Sequence, residues 1–225
     1  MPIIPLGDAT RKPVRFPLVT VTLVAVNLAA FLWEIGSSDA AVVRFAVVPA
    51  DLMQGRGGIT PLTAMFLHAG FTHIIGNMLF LSAFAPAVED AMGRTRFLVF
   101  YLLGGLAATA AQVAVAPAST VPQLGASGAI AAVMGAFLMT FPRDKIKVLW
   151  FLGIFVRVAY VPAFVLVGVW LLTQLLNQTA AVVQANSGGV AYMAHVGGAF
   201  FGILTARLFG RNARREGVLD QQVAP

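Results

Sequence analysis

The sequence predicts an all-α fold, a polytopic membrane protein in which six transmembrane helices make up most of the chain. Two observations carry this prediction. Apolar residues form 59% of the 225 residues and charged residues only 11%, a composition far from that of soluble globular domains. Six apolar runs, each near the length needed to cross about 30 Å of hydrocarbon, lie at roughly residues 17–36, 72–88, 96–116, 127–141, 160–177 and 189–209.

The positive charges predict how the chain is oriented. Thirteen of the 15 lysines and arginines fall in the N-terminal segment, after the second and fourth runs, or at the C-terminal end, whereas the alternate connections hold only Arg44 and Arg56. This asymmetry predicts an even number of spans in the cell membrane, with both termini in the cytoplasm. The net charge of +6 is therefore explained by the orientation of the chain in the membrane, and we expect no nucleic-acid partner. Glu89 and Asp90 are expected at a solvated cytoplasmic end.

One membrane domain is predicted at residues 17–210, between a cytoplasmic N-terminal tail at 1–16 and a cytoplasmic C-terminal tail at 211–225. No cleavage site follows the first run, so we expect it to remain as an anchor. The segment from Lys147 to Tyr160 is apolar but contains Arg157, and it could be an interfacial stretch or part of the fifth span. The absence of cysteine excludes disulfides and thiolate chemistry.

Three polar side chains within the apolar runs predict a single site. Ser127, His195 and His73 each lie sixteen residues before a charged residue that marks the cytoplasmic end of the run. At 1.5 Å per helical residue, each would lie about 24 Å above the inner face of a core about 30 Å thick. Because a bilayer penalises polar side chains, this shared level indicates a functional site. The fourth run is short, so its first turn should begin below the surface, where water can fill a cavity.

Small residues predict close contact between the fourth and sixth runs. Their spacing allows two helix backbones to approach, and they comprise Gly128, Ala131, Ala132 and Gly135 in the fourth run and Ala194, Gly198 and Gly202 in the sixth. His195 shares a helical face with Gly198 and Gly202. Its imidazole is therefore expected within hydrogen-bonding range of Ser127.

Ser127 and His195 are the candidate catalytic residues. A serine hydroxyl becomes a good nucleophile when a base removes its proton, and a histidine with a pKa near 6.5 can do so at neutral pH. The fourth and sixth runs contain no carboxylate, which predicts a dyad whose histidine ring is held by packing or by another hydrogen bond. His73, Asn77 and the backbone N–H of Ser127 are the predicted donors to an oxyanion.

Each of these residues also has a structural alternative. Ser127 could cap a helix, His195 could be hydrogen-bonded between helices, and His73 with Asn77 could join two helices. His68 is expected near the water interface, where a structural role is as plausible as a catalytic one. Other proteolytic chemistries fit badly, because the aspartates lie in loops or tails and no HExxH zinc motif is present.

From about residue 15 to residue 210, the chain resembles the rhomboid family of intramembrane serine proteases. The likeness lies in three motifs in the expected order, HAGFTHIIGN at 68–77, GASG at 125–128 and AHVGG at 194–198. The resemblance implies that Ser127 is the nucleophile and His195 the base, and that His73 and Asn77 lie at the oxyanion hole.

The same resemblance implies a backbone role for Gly125 and a role for His68 in water access or substrate handling. Rhomboids cleave a transmembrane helix of another protein near its outer end, admitting it between spans two and five. Membrane proteins are therefore the implied substrates, the site is expected to open toward the non-cytoplasmic side, and no cofactor or metal is implied. One departure is Ala131, where many members carry an aromatic residue that supports the histidine ring. Another is the absence of the Trp-Arg pair that some members have in the first loop.

Two functions from other classes stay open as alternatives. The chain could be a catalytically silent relative that binds membrane helices, although it retains both Ser127 and His195. It could also be a small transporter that uses its histidines as proton relays, although such a protein would not require the GASG motif and the spans offer no buried acids for a relay.

Overall fold

The computed structural model of the chain describes residues 3–152, 155–183 and 191–210. Six described helices have 14 residues or more, and short helical segments and one small sheet complete the fold. In chain order the elements are β1 (Ile3–Asp8), α1 (Leu18–Ile35), α2 (Asp39–Val43), α3 (Pro49–Met53), α4 (Thr60–Thr63), a 3-10 turn (Ala64–Phe66), α5 (Phe71–Met92), α6 (Arg94–Val115), α7 (Ser127–Thr140), β2 (Lys145–Leu152), β3 (Phe155–Pro162), α8 (Ala163–Val183) and α9 (Tyr192–Phe209).

The six longer helices follow the order of the six predicted runs. Among the described residues, α1, α5 and α6 are long and apolar enough to cross a membrane by length and composition, whereas α7 and residues 163–177 of α8 are shorter apolar helices. A count of six spans therefore stays a prediction. The beginning of the sixth predicted run, at 189–190, and the predicted tail at 211–225 lie outside the described residues.

A three-stranded antiparallel sheet, in the order β1-β2-β3, corrects the all-α prediction. β1 lies within the predicted N-terminal tail and pairs with β2. Residues 145–148 alternate lysine with an apolar residue, which is the two-residue period of a strand, and Ile146 and Val148 are buried in the core. The described residues of the segment from Lys147 to Tyr160 are strands and not part of a spanning helix, and α8 begins only at Ala163. The alternative, an interfacial stretch, stays a prediction.

Glu89 of α5 is buried against the beginning of α1, so the prediction of a solvated position is wrong. The residue is 3% exposed. Its carboxylate accepts hydrogen bonds from the backbone N–H of Val19 at 2.9 Å and of Thr20 at 2.8 Å, and from the Thr20 hydroxyl at 2.7 Å. The first turn of α1 has no capping side chain of its own. Glu89 therefore satisfies N–H groups that lack intrahelical partners and complements the positive end of the helix dipole.

The central helix is α7, which packs against α5, α6, α8 and α9. All residues from 128 to 137 are buried. A Cβ atom at Gly198 would overlap the carbonyl oxygen of Gly128, and one at Gly202 would overlap that of Ala132. The close contact predicted from the small residues is therefore confirmed, and it brings the first turns of α7 and α9 together.

Candidate active site

Ser127 is the first residue of α7 and follows a loop that is anchored to the rest of the molecule. Gln123 in this loop exchanges two backbone hydrogen bonds, of 2.7 and 2.8 Å, with Val47. Gly125 has a φ of +135°, a conformation that side chains rarely adopt. A Cβ atom at Gly125 would also lie 2.9 Å from Nε2 of His73. Both the backbone angle and the available space therefore require glycine two residues before the serine.

His195, in the first turn of α9, makes the central contact of the site. Its Nε2 lies 2.7 Å from Oγ of Ser127, a normal hydrogen-bond distance between a hydroxyl and an imidazole. The first turn of α9 is fixed by Gln112 of α6, whose side-chain oxygen accepts a hydrogen bond from the N–H of Ala194 at 3.2 Å. The pair therefore depends on three helices, α6, α7 and α9.

The other ring nitrogen of His195 contacts Gln174, which the sequence analysis missed. Nδ1 lies 2.7 Å from the amide oxygen Oε1 of Gln174 on α8. Because an amide oxygen only accepts hydrogen bonds, Nδ1 carries the proton and Nε2 is the acceptor for the Ser127 hydroxyl. The sequence signal that could have identified Gln174 is a polar residue within an apolar run, where polar residues are costly.

Trp170 of α8 supports the histidine ring, and it too was missed. The ring centroids of Trp170 and His195 are 5.6 Å apart, with an angle of 38° between the planes. This spacing is typical of interacting aromatic rings. Ala131 on α7 is too small for this role, so the aromatic contact comes from the preceding turn of the same helix that carries Gln174.

His73 and Asn77 lie one turn apart on α5 and direct polar atoms toward Ser127. Nδ1 of His73 accepts a hydrogen bond from the N–H of Ala69 at 3.3 Å, so the ring carries its proton on Nε2, which faces Gly125. Nδ2 of Asn77 is buried and has no hydrogen-bond partner among the described residues. Both groups are therefore free to donate to an oxygen atom placed beside the serine.

A cleft of about 340 Å³ joins these residues. His73 and Asn77 of α5, Ser127 of α7, Trp170 of α8 and His195 of α9 all line it. The structure thus brings together the four predicted catalytic and oxyanion-hole side chains. The cleft has both a candidate nucleophile and candidate donors on its walls, which is the arrangement that attack on a carbonyl group requires.

The remaining predicted residues support the cleft from outside its walls. Gly128 allows the contact between α7 and α6, because a Cβ atom there would lie 2.5 Å from the Cβ atom of Ala108. His68 is 3% exposed, not at the water interface as expected, and its ring lies 5.1 Å from that of His73. Burial and the neighbouring His73 lower the pKa of His68 to about 4, and neither ring nitrogen has a partner in the described part of the chain. The carboxylate of Glu34 on α1 accepts a hydrogen bond from the backbone N–H of His68 at 3.0 Å.

The fold and the cleft together define a helical membrane protein with a serine-histidine pair enclosed by its helices. Comparison with known families agrees with this class, because the model described as "Rhomboid domain" matches residues 57–212, more than half of the chain. The chain belongs to the rhomboid family.

Individual relatives cover different parts of the chain. "Putative rhomboid protease YdcA" of Bacillus subtilis is 36% identical over 127 residues, which are 55% of this chain and 62% of the relative. The human "Presenilin-associated rhomboid-like protein, mitochondrial" is 28% identical over 197 residues, 82% of this chain and 46% of the relative. The yeast "Rhomboid protein 1, mitochondrial" is 29% identical over 192 residues, 81% of this chain and 50% of the relative. The chain thus spans about half to three fifths of the length of these relatives.

Proposed function

We propose that the chain is an intramembrane serine endopeptidase that hydrolyses a peptide bond in or near the transmembrane segment of a membrane protein. The observation that carries the proposal is the 2.7 Å contact between Nε2 of His195 and Oγ of Ser127 beside a cleft. A structural helix cap would not require a histidine base at this position. The names of two relatives, "Putative rhomboid protease YdcA" and "Rhomboid protease GluP", add support.

Acylation follows from the proton positions on the two side chains. His195 removes the hydroxyl proton through Nε2 while Oγ of Ser127 attacks the carbonyl carbon of the substrate. Collapse of the tetrahedral intermediate breaks the C–N bond, and the protonated imidazole gives its proton to the departing amine. Water then attacks the acyl-enzyme with His195 again acting as base, and the product acid and free Ser127 result.

The oxyanion formed in each half of the reaction needs donors that are already oriented. We assign this role to Nε2–H of His73, the free amide of Asn77 and the backbone N–H of Ser127. The last of these lies at the beginning of α7, where N–H groups have no intrahelical acceptor. Removing one such donor typically reduces turnover about a hundred- to a thousandfold.

The proposed substrate is a membrane protein whose helix unwinds into the cleft. Thr72, Gly76 and Phe80 of α5 form one wall of the cleft, and Trp170 of α8 lies on another. These helices correspond to the second and fifth predicted spans, so a helix that enters between them would meet Ser127 directly. We place the protein in the cell membrane, with its termini in the cytoplasm and the cleft opening toward the other side.

The test is cleavage of transmembrane substrates by the purified chain in lipid vesicles. A pool of membrane proteins tagged at both ends is incubated with the wild type, and new termini are identified by mass spectrometry. We expect cuts within or next to apolar segments, none with Ser127→Ala, and slower cleavage with Asn77→Ala. Helix binding without cleavage by the wild type would instead identify a catalytically silent helix-binding relative.

A further inference from the structure

The sheet ends in an apolar region that is exposed. This region, the distal hairpin, comprises residues 149–151 of β2 and 155–158 of β3. Phe155 and Val156 are 66% and 54% exposed, and Trp150 is 38% exposed. A group of exposed aromatic and β-branched residues marks a contact with a membrane or another molecule.

The strand register shows the direction in which the distal hairpin faces. Ile146 and Val148 turn one face of β2 into the helices, where both are fully buried. Side chains alternate along a strand, so Trp150 lies on this same face. Arg157 pairs with Trp150 and Phe155 pairs with Leu152, so both share that face, whereas Val156 lies on the opposite face. The part of this face that extends beyond the helix ends is therefore directed toward the side of the sheet on which the helices lie.

The sheet is joined directly to the apolar helices. α8 begins at Ala163, immediately after β3 ends at Pro162. At this same end of the sheet, the backbone N–H of Ala163 donates a hydrogen bond of 2.8 Å to the carbonyl oxygen of Asp144, and the Asp144 carboxylate pairs with Arg11, in the segment before α1. This end of the sheet is thus held at the level where apolar helices begin, which is the level of a membrane surface, and the distal hairpin extends away from it along the strands.

The exposed charges of β2 and β3 are all positive. They are Lys145, Lys147 and Arg157. The nearby acids do not offset them at the surface, because Asp144 is buried in its ion pair and Asp8 is half-buried. Burial raises the pKa of Asp8. Arg157 lies on the face that turns toward the helices, and Lys145 and Lys147 lie on the opposite face. An arginine beside apolar side chains matches the chemistry of an anionic lipid leaflet.

We propose that the distal hairpin inserts into the adjacent leaflet of the bilayer. Trp150 and Phe155 then lie at the boundary between headgroups and acyl chains, Arg157 lies among anionic headgroups, and Lys147 on the opposite face stays in water. Tryptophan is enriched at this depth, where Trp150 would lie. Amphipathic elements typically enter this boundary by about 5–10 Å. The proposal does not depend on proteolytic activity.

The natural absence of cysteine allows a direct test with single nitroxide labels. Full-length Trp150→Cys, Phe155→Cys and, as the matched control on the opposite face of the same hairpin, Lys147→Cys are labelled and reconstituted in vesicles with and without phosphatidylglycerol. All three positions are exposed, so the labels should not disturb packing. Collisions with oxygen, which enters lipid, and with a water-soluble nickel chelate report the environment of each label.

Labels at 150 and 155 are expected to collide mainly with oxygen, and the label at 147 mainly with the chelate. Depth at 155 should increase with anionic lipid, and Arg157→Gln in the Phe155→Cys background should lose this increase. Chelate collisions at 150 and 155 equal to those at 147 would overturn the proposal. Protection from both reagents would also overturn it, by revealing a protein partner or a second copy on the distal hairpin.

Discussion

At the scale of single residues, the orientation of His195 depends on a neutral side chain. Gln174 fills the position at Nδ1 that a carboxylate fills in serine-histidine-aspartate triads. A buried carboxylate would add the cost of a charge within the hydrocarbon region. A glutamine selects the same histidine tautomer without that cost, although it stabilises the protonated imidazole less than a carboxylate would.

Replacing Gln174 tests this role. Gln174→Leu removes the acceptor, so the ring loses its preferred tautomer and orientation, and we expect kcat to fall by about a hundredfold while KM stays unchanged. Gln174→Glu keeps an acceptor oxygen and is the matched control, with a smaller loss. Both rates come from cleavage of a transmembrane substrate in vesicles. A loss in Gln174→Glu as large as in Gln174→Leu would show that the hydrogen bond to Nδ1 is not what matters.

At the scale of elements, the site exists because α7 and α9 touch through their backbones. The glycines at 135, 198 and 202 make this approach possible, and the four-residue spacing in the sequence predicted it. Sequence did not reveal α8 as the third part of the site, because Trp170 and Gln174 form no motif and their direction depends on how α8 packs. The sheet was also missed. Each of its strands is short, and the paired strands β1 and β2 are more than a hundred residues apart in the chain.

Introducing a methyl group at the contact between α7 and α9 should separate the catalytic pair. In Gly198→Ala the new Cβ meets the carbonyl oxygen of Gly128. Overpacking of this kind typically costs about 1–3 kcal/mol, so the free energy of unfolding in detergent micelles should fall and cleavage should slow. Gly168→Ala on α8, where a Cβ meets nothing within 4 Å, is the control. Equal stability of the two variants would contradict the account of this helix contact.

At the scale of the whole molecule, composition alone predicted a membrane protein and motif order predicted the family, which the match to residues 57–212 confirms. The prediction of the catalytic side chains was possible because three local motifs carry them. The depth of burial of His68 and Glu89 could not be predicted, since each is enclosed by a helix distant in sequence, α1 in both cases. The number of spans and their orientation stay predictions.

Labelling of single cysteines from one side of the membrane tests the predicted topology. Arg56→Cys lies in the connection predicted outside the cell and Arg143→Cys in one predicted inside, and both positions are exposed. In intact cells an impermeant maleimide should label position 56 and should reach position 143 only after the membrane is permeabilised. Labelling of position 143 in intact cells would contradict the predicted orientation.

The central claim is that His195 activates Ser127 as a nucleophile. The most direct measurement is reaction of the purified chain with a serine-directed fluorophosphonate, followed by mass-spectrometric mapping of the adduct. We expect a single adduct on Ser127, which should be absent from Ser127→Ala and lost or strongly reduced in His195→Ala. An adduct that persists in Ser127→Ala, or a wild-type chain in which Ser127 stays unmodified, would contradict it.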